Sequence, residues 1–178
     1  MLSFFKTLST KRSGWFLLLF SALALEGIAL YFQHGMGLQP CVMCIYERVA
    51  ILGIAFAGLF GLLYPNSMIL RLIALILGLG SAIKGLMISL THLDFQLYPA
   101  PWKQCSAFAE FPETLPLDKW FPYLFQPYGS CSEISWQFLG FSMVQWLVVI
   151  FSVYTLLLAL LFISQIKRLK PKQRMLFH

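Results

Sequence analysis

The sequence predicts an all-α membrane protein, a four-helix transmembrane bundle with a long outward-facing loop that carries a short interfacial helix. Three observations predict it. The chain is 59% hydrophobic and only 11% charged, where a soluble domain carries about a quarter charged residues. The missing charge is missing in blocks, each close to the roughly 20 apolar residues that cross a bilayer core. Basic residues then concentrate on one side of those blocks.

The four blocks run approximately from Gly14 to Phe32, Ile45 to Tyr64, Leu70 to Leu90 and Met143 to Ser164. Leu, Ile, Ala, Phe and Gly dominate them, and none has an interior proline. Backbone in lipid must satisfy its own hydrogen bonds, so these are predicted helices. No repeat interrupts residues 1–178, and a single integral membrane domain is expected.

Lys6, Lys11 and Arg12 precede the first block, Arg71 separates the second from the third, and Lys167, Arg168, Lys170, Lys172 and Arg174 follow the fourth. The long loop has Lys103 and Lys119 against Asp94, Glu110, Glu113, Asp118 and Glu133. The positive-inside rule places both termini in the cytoplasm. Segments 1–13, 65–69 and 165–178 are then cytoplasmic, and loops 33–44 and 91–142 face outward. The net charge of +6 is concentrated beside the membrane, which excludes any need for a nucleic-acid partner. The basic start and Ala22-Leu23-Ala24 resemble a cleavable signal peptide. Apolarity continues to Phe32, so an uncleaved anchor is expected.

All four cysteines fall in the outward loops. One pair reads Pro40-Cys41-Val42-Met43-Cys44, and C-x-x-C pairs beside a helix start suit thiol–disulfide exchange. Their ring is too small to remove much loop entropy, so a purely structural role is weak. Cys105 and Cys131 lie 26 positions apart, and for them a structural staple and a redox pair both stand. Four cysteines allow three connectivities, a Cys41–Cys131 link among them. A zinc site needs four converging thiolates or a nearby histidine, and the Cys105 and Cys131 spacing offers no second knuckle, so no metal is expected.

Arg48 follows Cys44 by four residues and shares its helical face, where a guanidinium favours the Cys44 thiolate. Glu47 is read as solvated. Glu26 and Lys84 lie roughly 9 Å inside the outer surface and are expected to pair with each other. His34, His92 and Gln96 gather at the outer interface, where solvation is the simpler reading for a single histidine. The loop 91–142 holds six of the nine prolines. Tyr98-Pro99-Ala100-Pro101 favours an extended approach to Cys105. Leu115-Pro116-Leu117-Asp118-Lys119-Trp120-Phe121-Pro122 reads as a short helix that dips Leu117, Trp120 and Phe121 into the interface and leaves Asp118 and Lys119 in water.

These residues resemble the DsbB family of bacterial inner-membrane disulfide bond formation proteins. The marks are Ala24-Leu25-Glu26, Tyr31-Phe32-Gln33-His34, Pro40-Cys41 through Cys44-Ile45-Tyr46-Glu47-Arg48, Gln96-Leu97-Tyr98-Pro99, and Leu115 to Trp120. They span nearly the whole chain. The resemblance implies a quinone-linked oxidase, using ubiquinone or menaquinone, that reoxidises a periplasmic DsbA-like thioredoxin-fold protein. It implies a Cys105–Cys131 disulfide that the partner attacks at Cys105, and a Cys41–Cys44 pair that re-oxidises the loop. It places Cys44 against the quinone, Arg48 beside the anionic species, and His92 and Gln96 near the quinone pocket.

Other classes make different demands. A scaffold with two static disulfides would show no redox cycling. A thiol-dependent metal transporter needs polar ligands through the bilayer, which Trp146 to Ile163 do not supply. An enzyme of the vitamin K epoxide reductase type shares the chemistry, but its cysteine order fits less well.

Overall fold

The computed structural model describes residues 9–99, 105, 111 and 117–166. Among them, four helices are long and apolar enough to cross a membrane. They are α1 (Arg12–Leu30), prolonged by a π-helical turn at Tyr31–Gly35, α2 (Val42–Leu63), α3 (Met68–Leu97) and α6 (Met143–Ile166). Between α3 and α6 lie two single-turn helices, α4 (Leu117–Trp120) and α5 (Pro122–Phe125), and a hairpin of β1 (Gln137–Phe138) and β2 (Phe141–Ser142). The chain is an all-α, multi-pass membrane protein. The tails 1–8 and 167–178, the Ala100-Pro101 run and the Leu115-Pro116 start of the short helix lie outside the described residues.

The helices exceed the apolar blocks, most of all at α3. Its 30 residues extend about 45 Å at the helical rise, against a hydrocarbon core of about 30 Å. Polarity resumes at Thr91, yet nothing there breaks a helix until Pro99, which restricts Tyr98 and ends α3 at Leu97. His92 and Gln96 therefore ride on a rigid helix. Similarly, α2 starts three residues before Ile45, because Cys41 acts as its N-cap.

Helix α1 packs on α2, α2 on α3, and α3 on α6. Ile51, Ile54, Leu75, Ala82, Phe151 and Leu158 form the centre of the core. Lipid gives little hydrophobic drive between helices, so small residues that allow close approach decide the contacts. Gly61 of α2 lies against the Trp15 indole of α1, and Gly85 of α3 lies against the Phe151 ring of α6. A Cβ at either glycine would overlap the ring.

The loop elements pack more than their lengths promise. Phe125 of α5 is buried and meets Phe111 edge-on at 6.3 Å, and Phe111 meets Tyr46 of α2 at 5.9 Å. Trp120 and Phe121 are exposed to the surroundings, as are the Lys119 side chain and Tyr123. The hairpin, which the hydropathy pattern does not signal, turns through Leu139 (φ 53°) and Gly140 (φ 82°). Two successive positive φ values match a type I′ turn. Phe138 and Phe141 then flank Trp146 at 6.3 and 6.0 Å.

Gly85→Val is expected to lower stability in detergent by about 1–3 kcal/mol through overpacking against Phe151. Gly80→Ala, where an added Cβ meets nothing within 4 Å, is the matched control and should not destabilise. Denaturant titration of helix content reads both.

Candidate active site

The site begins with the way α2 starts. Helix N-termini leave backbone N–H groups without partners, and here the Cys41 sulfur takes the Cys44 N–H at 3.2 Å. Cysteine thereby fills the role that Ser or Asp usually fills, which places its sulfur at the positive end of the helix dipole. Cys41 and Cys44 are both free thiols, and their sulfurs are 2.9 Å apart. The Cys44 thiol hydrogen bond holds Cys41 below the ordinary thiol range, against the cost of burial and with help from the Cys44 N–H.

His92 approaches from α3. Its Nε2 lies 3.5 Å from the Cys41 sulfur, and its Nδ1 lies 3.2 Å from Glu47 Oε1. His92 is 2% exposed and Glu47 1%, which corrects both readings of solvated side chains. A carboxylate inside an apolar helix must be paired, and Glu47 lies three residues after Cys44 on the same face of α2. That position was the available signal for a carboxylate working with the dithiol.

Arg48 bonds in another direction. Its Nε and Nη2 both reach Glu26 Oε1 of α1 at 2.8 Å. Its Nη1 donates to Gln33 Oε1 at 2.7 Å and to the Leu124 carbonyl at 2.9 Å. The Phe125 ring lies 5.7 Å from the guanidinium carbon. The expected Glu26–Lys84 pair is therefore replaced by Glu26–Arg48, while Lys84 is exposed on the outer face of α3. Helix rotation decides this. Glu26 faces the bundle, and Lys84 precedes Gly85, the residue that faces it.

A cavity of about 310 Å³ opens beside these groups, a size within the range of small-molecule sites. Cys41, Cys44, Glu47, Arg48, His92 and Gln96 contribute its polar wall. Phe32, Trp136, Phe138 and Trp146 form an aromatic wall, with Phe32 and Trp136 centroids 4.9 Å apart and Trp136 stacked on Phe138 at 5.9 Å. Phe32 falls in the Tyr31–His34 mark, but no motif marks Trp136, Phe138 or Trp146, because they come from the loop and α6. Gln96 accepts from the Ser142 hydroxyl at 3.1 Å and donates to the Glu133 carbonyl at 3.3 Å, so it ties the loop to α3. His34 does not join His92; it stacks on Tyr123 at 4.5 Å.

The second cysteine pair, Cys105 and Cys131, forms a disulfide with Cα atoms 6.3 Å apart. Its Cys131 end is docked beside the first pair. The N–H groups of Tyr128 and Gly129 both donate to the Pro40 carbonyl, at 3.0 and 3.1 Å, and the Cys131 backbone lies against His92. Gly129 is required there, since a Cβ would collide with the Gln39 carbonyl.

A dithiol at a helix cap, open to an apolar cavity in a membrane bundle and adjoined by a loop disulfide, defines a membrane thiol–disulfide oxidoreductase. The sequence model of the family described as "Disulfide bond formation protein DsbB" matches residues 11–161. The chain belongs to that family. It is 84% identical to "Disulfide bond formation protein B" of Pasteurella multocida (strain Pm70) over 178 residues, all of both chains. It is 62% identical to the protein of that name from Mannheimia succiniciproducens over 99% of each chain. It is 60% identical to that of Haemophilus influenzae (strain 86-028NP) over the full length of both. The chain is accordingly a disulfide-forming oxidoreductase of the membrane.

Removing one partner of a buried ion pair leaves an uncompensated charge, at a cost of about 3–5 kcal/mol. Glu26→Ala should lose that much, and Glu26→Met with Arg48→Met should recover most of it, whereas Lys84→Met should be near neutral. Unfolding of the three variants in mixed micelles measures this, and a large loss in Lys84→Met would contradict the pairing.

Proposed function

We propose that this chain reoxidises a periplasmic dithiol oxidase of the DsbA type and passes the electron pair to a membrane quinone, in the bacterial inner membrane with both termini cytoplasmic. The observation that carries the reading is the Cys41/Cys44 dithiol at the wall of an aromatic-lined cavity, with the loop disulfide docked against Pro40.

The electrons balance in four exchanges. A thiolate of the partner attacks Cys105, the Cys105–Cys131 bond breaks, and Cys131 leaves as thiolate. The partner's second thiol then displaces Cys105, which leaves the partner oxidised and the loop pair reduced. Next Cys131 attacks Cys41 of a Cys41–Cys44 disulfide and expels the Cys44 thiolate, which in this linked state is the free sulfur at the cavity. Cys105 recloses the loop disulfide and releases Cys41. A closed loop disulfide beside a reduced Cys41/Cys44 pair is the state this sequence leaves, with two electrons held at the helix cap.

The residues fit a quinone. The cavity volume suits a single substituted ring, the aromatic wall offers stacking, and the Arg48 charge and Gln96 amide border the same space. When bound there, ubiquinone or menaquinone supplies an acceptor for two electrons and two protons. The chain's own residues manage those protons. His92 Nε2 is placed to take the Cys41 proton, and Glu47 at Nδ1 orients the ring and favours its charged form. Glu26 and Gln33 fix the Arg48 guanidinium, so its positive charge cannot drift from the cavity. DsbA-type proteins are strong oxidants, so their regeneration needs an acceptor beyond ordinary dithiols, and a lipid-soluble one explains why the dithiol sits in a bundle.

Cys44→Ser should abolish quinone reduction by the purified protein in the presence of a reduced DsbA-type dithiol, followed by loss of quinone absorbance. Full turnover in that variant, with either quinone, would overturn the reading. Arg48→Ala should raise the apparent quinone KM; an unchanged KM would reduce Arg48 to the partner of Glu26.

A further inference from the structure

Cys41, Cys44 and His92 each offer one donor atom, and those atoms all lie within 4.8 Å of one another. Two thiolates and an imidazole are a donor set that thiophilic, tetrahedral d10 cations take. With bonds of about 2.3 Å to sulfur and about 2.0 Å to nitrogen, a tetrahedral ion holds sulfur and nitrogen about 3.5 Å apart and two sulfurs about 3.8 Å apart. The Cys41–His92 separation of 3.5 Å already meets this. The sulfur pair at 2.9 Å must open by about 0.9 Å, a change that thiol rotation at a helix cap can supply.

The surroundings independently favour a cation. Metal-bound histidines as a rule donate their second ring N–H to a carboxylate, a backbone carbonyl or water, which fixes the tautomer and raises ligand basicity. His92 has that arrangement, with Nε2 toward the sulfur and Nδ1 on Glu47. Glu47 is almost fully buried, and its Oε2 has no hydrogen-bond partner among the described residues. Three protein donors leave a fourth position open, and all three residues border the cavity, from which a water can fill it.

We propose that the reduced Cys41/Cys44 dithiol and His92 form a binding site for a divalent zinc-class cation, which oxidation of the dithiol abolishes. Binding releases two thiol protons, forms two metal–sulfur bonds and one metal–nitrogen bond, and moves no electrons. Formation of the Cys41–Cys44 disulfide, with its electron pair passing to a two-electron acceptor such as a quinone or an added disulfide, removes both thiolates, and the ion departs as the dication. A metal-bound pair withholds its thiolates from any oxidant. The expectation of no metal rested on the Cys105 and Cys131 spacing, which offers no second knuckle; here His92 of α3 supplies the third donor instead. Since the site depends on these donors alone, it stands or falls apart from the destination of the electrons.

Cadmium is the probe, because its thiolate charge-transfer absorption reports sulfur ligation directly. The full-length protein carrying Cys105→Ala and Cys131→Ala, reduced and freed of reductant without air, should bind one equivalent, and zinc should displace it. The oxidised protein should show no band. His92→Gln should weaken binding at least tenfold, and Glu47→Gln by about ten- to a hundredfold. Unchanged affinity in a folded His92→Gln would overturn the proposal, since the C-x-x-C pair alone would then be the chelator. Should that variant not fold, cadmium NMR with His92 intact decides: a donor set of two sulfurs and one nitrogen is expected, and one without nitrogen overturns it.

Discussion

Two consecutive residues of α2 bond to opposite neighbours, and the site depends on that divergence. Arg48 reaches Glu26 of α1, and Glu47 reaches His92 of α3. Unpaired charges at membrane depth are costly, so both pairings must form together as the bundle closes. Successive helical residues point about 100° apart. That angle lets one turn of α2 tie the helices on either side and set its own rotation between them. The rotation that satisfies Glu47 also brings His92 to the Cys41 sulfur.

The same two side chains organise the loop. Arg48 uses its remaining donors on Gln33 and on the Leu124 carbonyl, and Phe125 covers it. A buried guanidinium with most donors satisfied is tolerated where a bare one is not. The segment after α5 then bonds Pro40 and carries Cys131 to the helix cap. Mobile loops commonly carry function on rigid scaffolds; here one end of the disulfide loop is itself clamped to the scaffold. The docking shortens the path between the two cysteine pairs without joining them.

Redox and metal chemistry meet in the C-x-x-C pair for one physical reason. Both require thiolate character, and the helix cap, the second sulfur and the imidazole all promote it. An exposed dithiol would exchange with many disulfides. This one lies largely within the protein, with Cys41 3% exposed, so access runs through the cavity or through Cys131. Burial thereby selects which acceptors the pair can meet, and the aromatic wall favours flat, apolar ones.

Hydropathy and charge asymmetry determined the four spans by themselves, because the cost of placing polar backbone or charge in lipid is local to each segment. The C-x-x-C spacing likewise announced a dithiol at a helix start, and the motifs from Ala24 to Trp120 the family, both being patterns along the chain. The partners of the buried charges were decided only in the tertiary structure. Glu26 and Lys84 lie at matching depths, yet Lys84 faces outward and Arg48 takes its place. Depth follows from sequence position, whereas facing follows from helix rotation, which is set by contacts such as Gly61 on Trp15 and Gly85 on Phe151. The cavity and the approach of His92 to Cys41 have the same origin, since their residues come from several elements that share no local pattern.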